Sequence, residues 1–143
     1  MTKRRDFLAS LGVTALGASL PGLGRAQGAP WPGAKPITYI VPFFPGSTAD
    51  MIARIVAQKV GESLKQSILV DNRTGMGGNI GVAAGAKAAP DGYTLVGGTS
   101  GTHATNVSLH KNLPYDPVKD FEPVSLIGSQ TSILTVGTVL GVN

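Results

Sequence analysis

The sequence predicts an α/β fold with a parallel-rich sheet, and three observations carry that prediction. Short β-prone runs at Ile37–Val41, Ser67–Asp71 and Tyr93–Val96 alternate with stretches of helical pattern. A loop rich in Gly, Ser, Thr or Asn follows each run. Pro and Gly mark the changes of pattern, at Pro42, Pro45-Gly46 and Pro90-Asp91-Gly92. Strands that alternate with helices form βαβ units, and such units run their strands parallel.

Residues 1–26 stand apart from the fold. Lys3, Arg4 and Arg5 precede Phe7-Leu8, and residues 9–24 are weakly apolar and rich in Gly, Ala and Ser. Gly24-Arg25-Ala26 places small residues where a signal peptidase reads them. The paired arginines resemble a twin-arginine export signal, with an ordinary secretory signal as the alternative. A membrane anchor is disfavoured, because Gly, Ser and Pro21 interrupt a run already short for a span. The expected location is the periplasm.

Charge and composition narrow the chemistry. The net charge is +4, but residues 1–26 hold +3 of it, leaving +1 for the remainder. That leaves no basic patch for nucleic acid. The chain has no cysteine, so disulfides, thiolate nucleophiles and Cys-based metal sites are excluded. The two histidines, His103 and His110, have no carboxylate at ligand spacing, so no metal and no cofactor is expected.

Residues 27–36 read as an extended arm with Trp31 as a docking aromatic, a ligand contact being the alternative. Ile37–Val41 is the first strand, and Pro42 ends it by lacking an N–H. Ser47 or Thr48 caps the following helix, and Ser47-x-x-Asp50 has capping-box spacing. Ile52, Ile55, Val56, Val60 and Leu64 are expected to form its buried face. Ser67–Asp71 is the second strand, followed by a glycine loop through Arg73, Gly77 and Gly78. Asn79–Ala89 reads as a tightly packed helix, and Pro90–Gly92 as a turn. Tyr93–Val96 is the third strand, Gly97–Thr102 a second Gly/Ser/Thr loop, and His103–His110 a short helix. Leu113–Pro117 is a turn. Glu122–Ile127 and Ser132–Leu140 are expected as further strands.

Enzyme motifs are weak. Gly75-x-Gly77 is followed by Gly81, one residue late for a dinucleotide fingerprint, and no P-loop is present. Ser100 is not in a nucleophile elbow. A triad of Ser100, His103 and Asp50 rests on three common residues alone. An exported hydrolase using Ser100 and His103 remains the alternative reading, and a non-functional fragment a third. The three loops instead offer backbone N–H groups and hydroxyls at the carboxyl ends of neighbouring strands, with Arg73 as the nearest cation. Such loops suit a small carboxylate. For any single loop, turns and caps are a sufficient explanation.

The ordered motifs resemble a known family. They are Trp31-Pro32, Val41-Pro42-Phe43-x-Pro45-Gly46, Asp50…Arg54, Val70-x-Asn72-Arg73-x-Gly75-x-Gly77-Gly78-x-Ile80-Gly81, Ala89-Pro90-Asp91-Gly92-Tyr93 and Leu113-Pro114-Tyr115-Asp116-Pro117…Phe121-x-Pro123-Val124. Together, over Trp31 to Leu126, they resemble the Bug-type (TctC-like) solute receptors of tripartite tricarboxylate transporters. The resemblance implies a type II periplasmic-binding-protein fold, a monomer, a small carboxylate ligand (a di- or tricarboxylate or an amino acid), and membrane transporter subunits as partners. It implies no catalysis. It places Phe43, Phe44, Gly46, Ser47 and Thr48 at the ligand, with Thr99, Ser100, Gly101, Thr102 and Asn106. Asp50, Arg73, Gly77 and Gly78 would support the loops.

Two departures qualify the resemblance. Ser47 stands where the family usually has a second glycine. The family is also about twice as long, and Gly128–Asn143 fits it poorly. The expectation is an incomplete first domain over residues 37–127, a divergent tail over 128–143 and no second domain. One half of a cleft buries little of a ligand, so weak or absent solute binding is expected.

Overall fold

A computed structural model describes residues 30–131, 133 and 135. It divides into two units, with the boundary in the chain between Ala34 and Lys35. The first contributes residues 30–34, where the N–H of Gly33 donates to the carbonyl of Pro30 at 2.8 Å. Trp31, expected as a docking aromatic, is more than half exposed. The expected export signal over residues 1–26 lies outside the described residues.

The second unit is built on a three-stranded parallel sheet in the order β2-β1-β3, formed by β1 (Ile37–Val41), β2 (Ile68–Asn72) and β3 (Thr94–Val96). β1 is central and nearly fully buried, which suits its run of β-branched and aromatic residues. Its partners are in register to the carboxyl end, with Val41 opposite Asn72 and Ile40 opposite Val96. The ladder continues past the strands, as the Arg73 N–H donates to Val41 and the Gly97 N–H to Ile40, both at 2.9 Å.

Two helices cover the sheet. α1 (Thr48–Leu64) packs with Tyr39, Val41 and Ala53 against Ile68, Val70 and Leu95. α2 (Asn79–Ala86) places Val82 and Ala83 with Tyr115, Val96 and Phe121. Leu95 and Val96 are adjacent in one strand and so face opposite sides. The two clusters therefore lie on opposite faces of the sheet, as a doubly wound order requires.

The face that α1 buries differs from the expectation. Asp50, Ala53 and Ala57 are its buried residues, whereas Ile52, Ile55 and Val60 are exposed. Small side chains at i and i+4 let the helix approach the sheet closely, and Gly61 continues the row. A Cβ at Gly61 would stand 2.9 Å from the carbonyl oxygen of Gln66. The large apolar residues formed a plausible helical stripe, but close approach selected the alanines.

Other boundaries shift slightly. The second strand runs one residue further than expected, to Asn72, and α2 is preceded by a 3-10 turn at Met76–Gly78. The expected helix after the third strand begins earlier, as a π turn at Gly101–Thr105 running into α3 (Asn106–Leu109). Glu122–Ile127 is not a strand: it is unpaired, and Leu126 is 85% exposed. A β-prone run becomes a strand only beside a free edge, and this one meets none. Of the fifth expected strand only residues 133 and 135 are described, and neither is strand.

No helix among the described residues is long and apolar enough to cross a membrane.

Candidate functional site

The chain leaves β1 for one side of the sheet and reaches β3 from the other. The order β2-β1-β3 thus puts a topological switch point between β1 and β3. In open α/β sheets ligands bind in the crevice outside the carboxyl ends of the strands at such a point, which makes this the candidate site. The loop after β1 and the first residue of α1 hold Phe43–Thr48, and the loop after β3 with the start of the π turn holds Thr99–Thr102. Because the strands are parallel, both lie at the same end of the sheet.

The glycine loop after β2 joins them at Gly78. A Cβ there would stand 2.8 Å from Thr102 Cγ2, 3.4 Å from Pro42 Cβ and 3.5 Å from Phe43 Cζ. The residue also has φ +96°, a left-handed conformation that favours glycine. Three loops from three strands therefore meet within a methyl group's width. Gly81, one turn into α2, makes the same close approach, its Cβ position being 2.8 Å from Pro42 Cβ.

The first loop is held by a polar network. Ser47 caps α1, its Oγ accepting from the Asp50 N–H at 3.3 Å. Asp50 reaches back to the Gly46 N–H at 2.8 Å, one residue earlier than the usual reciprocal bond. Gly46 has φ +80°. Asp50 is only 2% exposed and is gripped by both prongs of Arg54, each at 3.0 Å. Asn72, at the end of β2, donates to Asp50 at 2.9 Å and to the carbonyl of Phe43 at 3.1 Å. The Arg54 guanidinium, the Gly46 N–H and the Asn72 amide together hold the Asp50 carboxyl down at about 2. The same carboxylate lifts Arg54 above its ordinary value.

The third loop closes on itself. Thr102 is fully buried, and its hydroxyl accepts from the Thr99 N–H at 3.0 Å and contacts His103 Nδ1 at 2.9 Å. The Thr102 N–H in turn donates to Thr99 Oγ1 at 3.3 Å. His103 stands against Phe121 and Tyr115, and burial pushes its pKa below 6.5.

These bonds decide which donors each loop can offer. The N–H groups of Gly46, Ser47, Thr99 and Thr102 already have partners within the chain. Thr48 and Ala49, the first two residues of α1, have no preceding turn to donate to, and neither do Ser100 and Gly101 at the start of the π turn. The α1 end carries the positive end of a 17-residue helix.

Each residue singled out in the sequence has a definite place. Phe43 is half-buried against the α1 core, whereas Phe44 is 72% exposed. Asn106 donates to Asn79 Oδ1 at 2.7 Å, close to Gly77. Arg73 is paired with Asp71 at 2.8 Å. The hydrolase triad is not assembled: His103 Nδ1 is on Thr102 rather than Ser100, and Asp50 is spent on Arg54, Gly46 and Asn72. Asn72 and Tyr115 stand in the family motifs but were given no site role from sequence, and neither was Asn79. A polar amide at a strand end (Asn72) and another just after a Gly-Gly pair (Asn79) were the available signals. Among the described residues no cluster of His, Asp or Glu is suited to a metal. A groove of about 660 Å³ lies between α1 and the edge strand β2, lined by Ala57, Gly61, Ile68 and Leu69, and does not include these loops.

A family model described as the tripartite tricarboxylate transporter family receptor matches residues 52–141. The chain belongs to this family of transporter receptors. The match takes in residues 128–141 of the tail. The protein BugT of Bordetella pertussis is 43% identical over 108 residues, which are 75% of this chain and 33% of BugT. A solved structure of a periplasmic transporter is 49% identical, with a TM-score of 0.63 over 65% of this chain and 31% of that one. MatC from Rhodopseudomonas palustris, solved with bound malate, is 40% identical, with a TM-score of 0.64 over 66% of this chain and 32% of MatC. The family member thus spans about a third of the length of the relatives it matches, and its sheet is part of a periplasmic-binding-protein fold.

Proposed function

We propose that this chain is an exported, periplasmic receptor for a small carboxylate that serves a tripartite transporter, and that the crevice between β1 and β3 takes the carboxylate. The observation that carries the proposal is the convergence of three strand-end loops at Gly78. The carboxylate would accept from the N–H groups of Thr48 and Ala49 on one side and of Ser100 and Gly101 on the other. Helix-end dipoles stabilise such a charge without a full counter-ion. Arg54 and Arg73 are already paired with Asp50 and Asp71, so recognition falls to these amides and to the Ser100 and Thr48 hydroxyls. Phe44 would cover the ligand's carbon chain. Malate, bound to a relative 40% identical, fits this chemistry. The role proposed is binding without catalysis, and among the described residues Ser100, His103 and Asp50 are not assembled as a triad.

Titration of the isotopically labelled chain with malate tests the reading. Amide shifts confined to residues 46–49 and 99–102 support it. Shifts elsewhere, no shifts at tens of millimolar malate, or equal shifts with the uncharged diamide would overturn it.

A further inference from the structure

We infer that Tyr115 is a positioning residue for the third loop, holding Thr102 to Asn79 across the base of the crevice. The inference rests on the carboxylate reading for its meaning in binding, though not for its geometry. Tyr115 lies in the Leu113–Pro117 turn, beyond α3, yet it is only 6% exposed. Its hydroxyl lies 2.6 Å from the carbonyl oxygen of Thr102 and 2.9 Å from Asn79 Oδ1. The first belongs to the loop after β3, the second to the first residue of α2. One phenol therefore joins the two elements that face each other at Gly78.

The proton count supports a fixed bridge. A phenol has one proton, and the Thr102 carbonyl can only accept. With that proton on Thr102, Tyr115 Oη is left as an acceptor facing Asn79. Asn79 Nδ2 is buried without a hydrogen-bond partner, and Asn79 Oδ1 also accepts from Asn106. Turning the Asn79 and Asn106 amides over gives both Asn79 N–H groups a partner, Tyr115 Oη and Asn106 Oδ1. In the turned orientation Asn79 is the hub between the second loop, α3 and the turn. The Tyr115 ring is fixed separately, edge-on to Phe121 with centroids 6.1 Å apart. Ring packing and hydroxyl bridging can thus be separated by Tyr115→Phe.

Hydrogen exchange on the full 143-residue chain tests this. Tyr115→Phe is expected to speed exchange at residues 99–106 roughly fivefold to tenfold, the weight of one hydrogen bond, and to leave residues 39–41 of β1 unchanged. Asn79→Ala should give the same localised change, and the double variant no more than either single one. Malate-induced shifts at Ser100 and Gly101 should need several-fold more malate in Tyr115→Phe. Unchanged exchange at 99–106, an increase spread equally over β1, or unfolding of both single variants would overturn the inference. If the parent chain ignores malate, the carboxylate reading falls while exchange still decides the role of Tyr115.

Discussion

Asn72 donates its side-chain amide to Asp50 at 2.9 Å, and so ties the end of an edge strand to the first turn of α1. The same amide also donates to the carbonyl of Phe43. One side chain therefore sets both the start of the helix and the path of the loop that approaches it. The first wall of the crevice depends on this bond.

Asn72→Ala removes both donations, taking this donor from the part-buried Phe43 carbonyl and leaving Asp50 to Arg54 and the Gly46 N–H. It is expected to cost about 1–3 kcal/mol of unfolding free energy. Urea unfolding of the two chains measures it. A loss below a few tenths of a kcal/mol would show that the network is not structural.

Acid should weaken the first loop. The Asp50 carboxyl titrates at about 2 in the folded chain and near its ordinary 3.8 when unfolded. Its stabilisation is therefore complete above about pH 4 and is lost as pH falls toward 2. His103, lowered by burial, adds an earlier loss that begins as pH falls below 6.5. Thermal midpoints followed from pH 7 to pH 2 should fall in both ranges. Asp50→Asn should flatten only the lower one.

Two glycines with similar φ should respond differently to alanine. At Gly46 the cost is backbone strain alone, about 1 kcal/mol, since no atom lies within 4 Å of the new Cβ. At Gly78 the methyl also meets Thr102 and Pro42, so the expected cost is about 2–4 kcal/mol. Equal losses in denaturant melts would refute the convergence of the loops.

The buried face of α1 can be checked by a contrasting pair. Ala53→Leu overpacks a position that is almost fully buried against Tyr39 and Val41, and is expected to cost about 1–3 kcal/mol. Ile55→Ser, at 64% exposed, should change stability by no more than about 0.5 kcal/mol. The reverse order would restore the large apolar stripe as the buried one.

Local chemistry made much of this fold legible. β-branched runs, the Pro42 stop, the Ser47 cap and the Pro90–Gly92 turn are decided by neighbours in the chain. The parallel sheet followed from alternation, and the site end followed from the parallel sheet. The roles of Asn72, Asn79 and Tyr115 were not legible, because their hydrogen-bond partners are 13 to 36 residues away. The family resemblance put Thr102 at the ligand, whereas the fold spends its hydroxyl on Thr99 and His103.

The sequence by itself determined where strands, helices and turns form, and which loops carry donors at strand ends. These are matters of backbone sterics, capping and periodicity. Only the tertiary structure decided which face of α1 is buried, which loop amides are left to bind, and which side chains brace the crevice. Those outcomes depend on close approach between elements distant in the chain, and no local pattern encodes such distances.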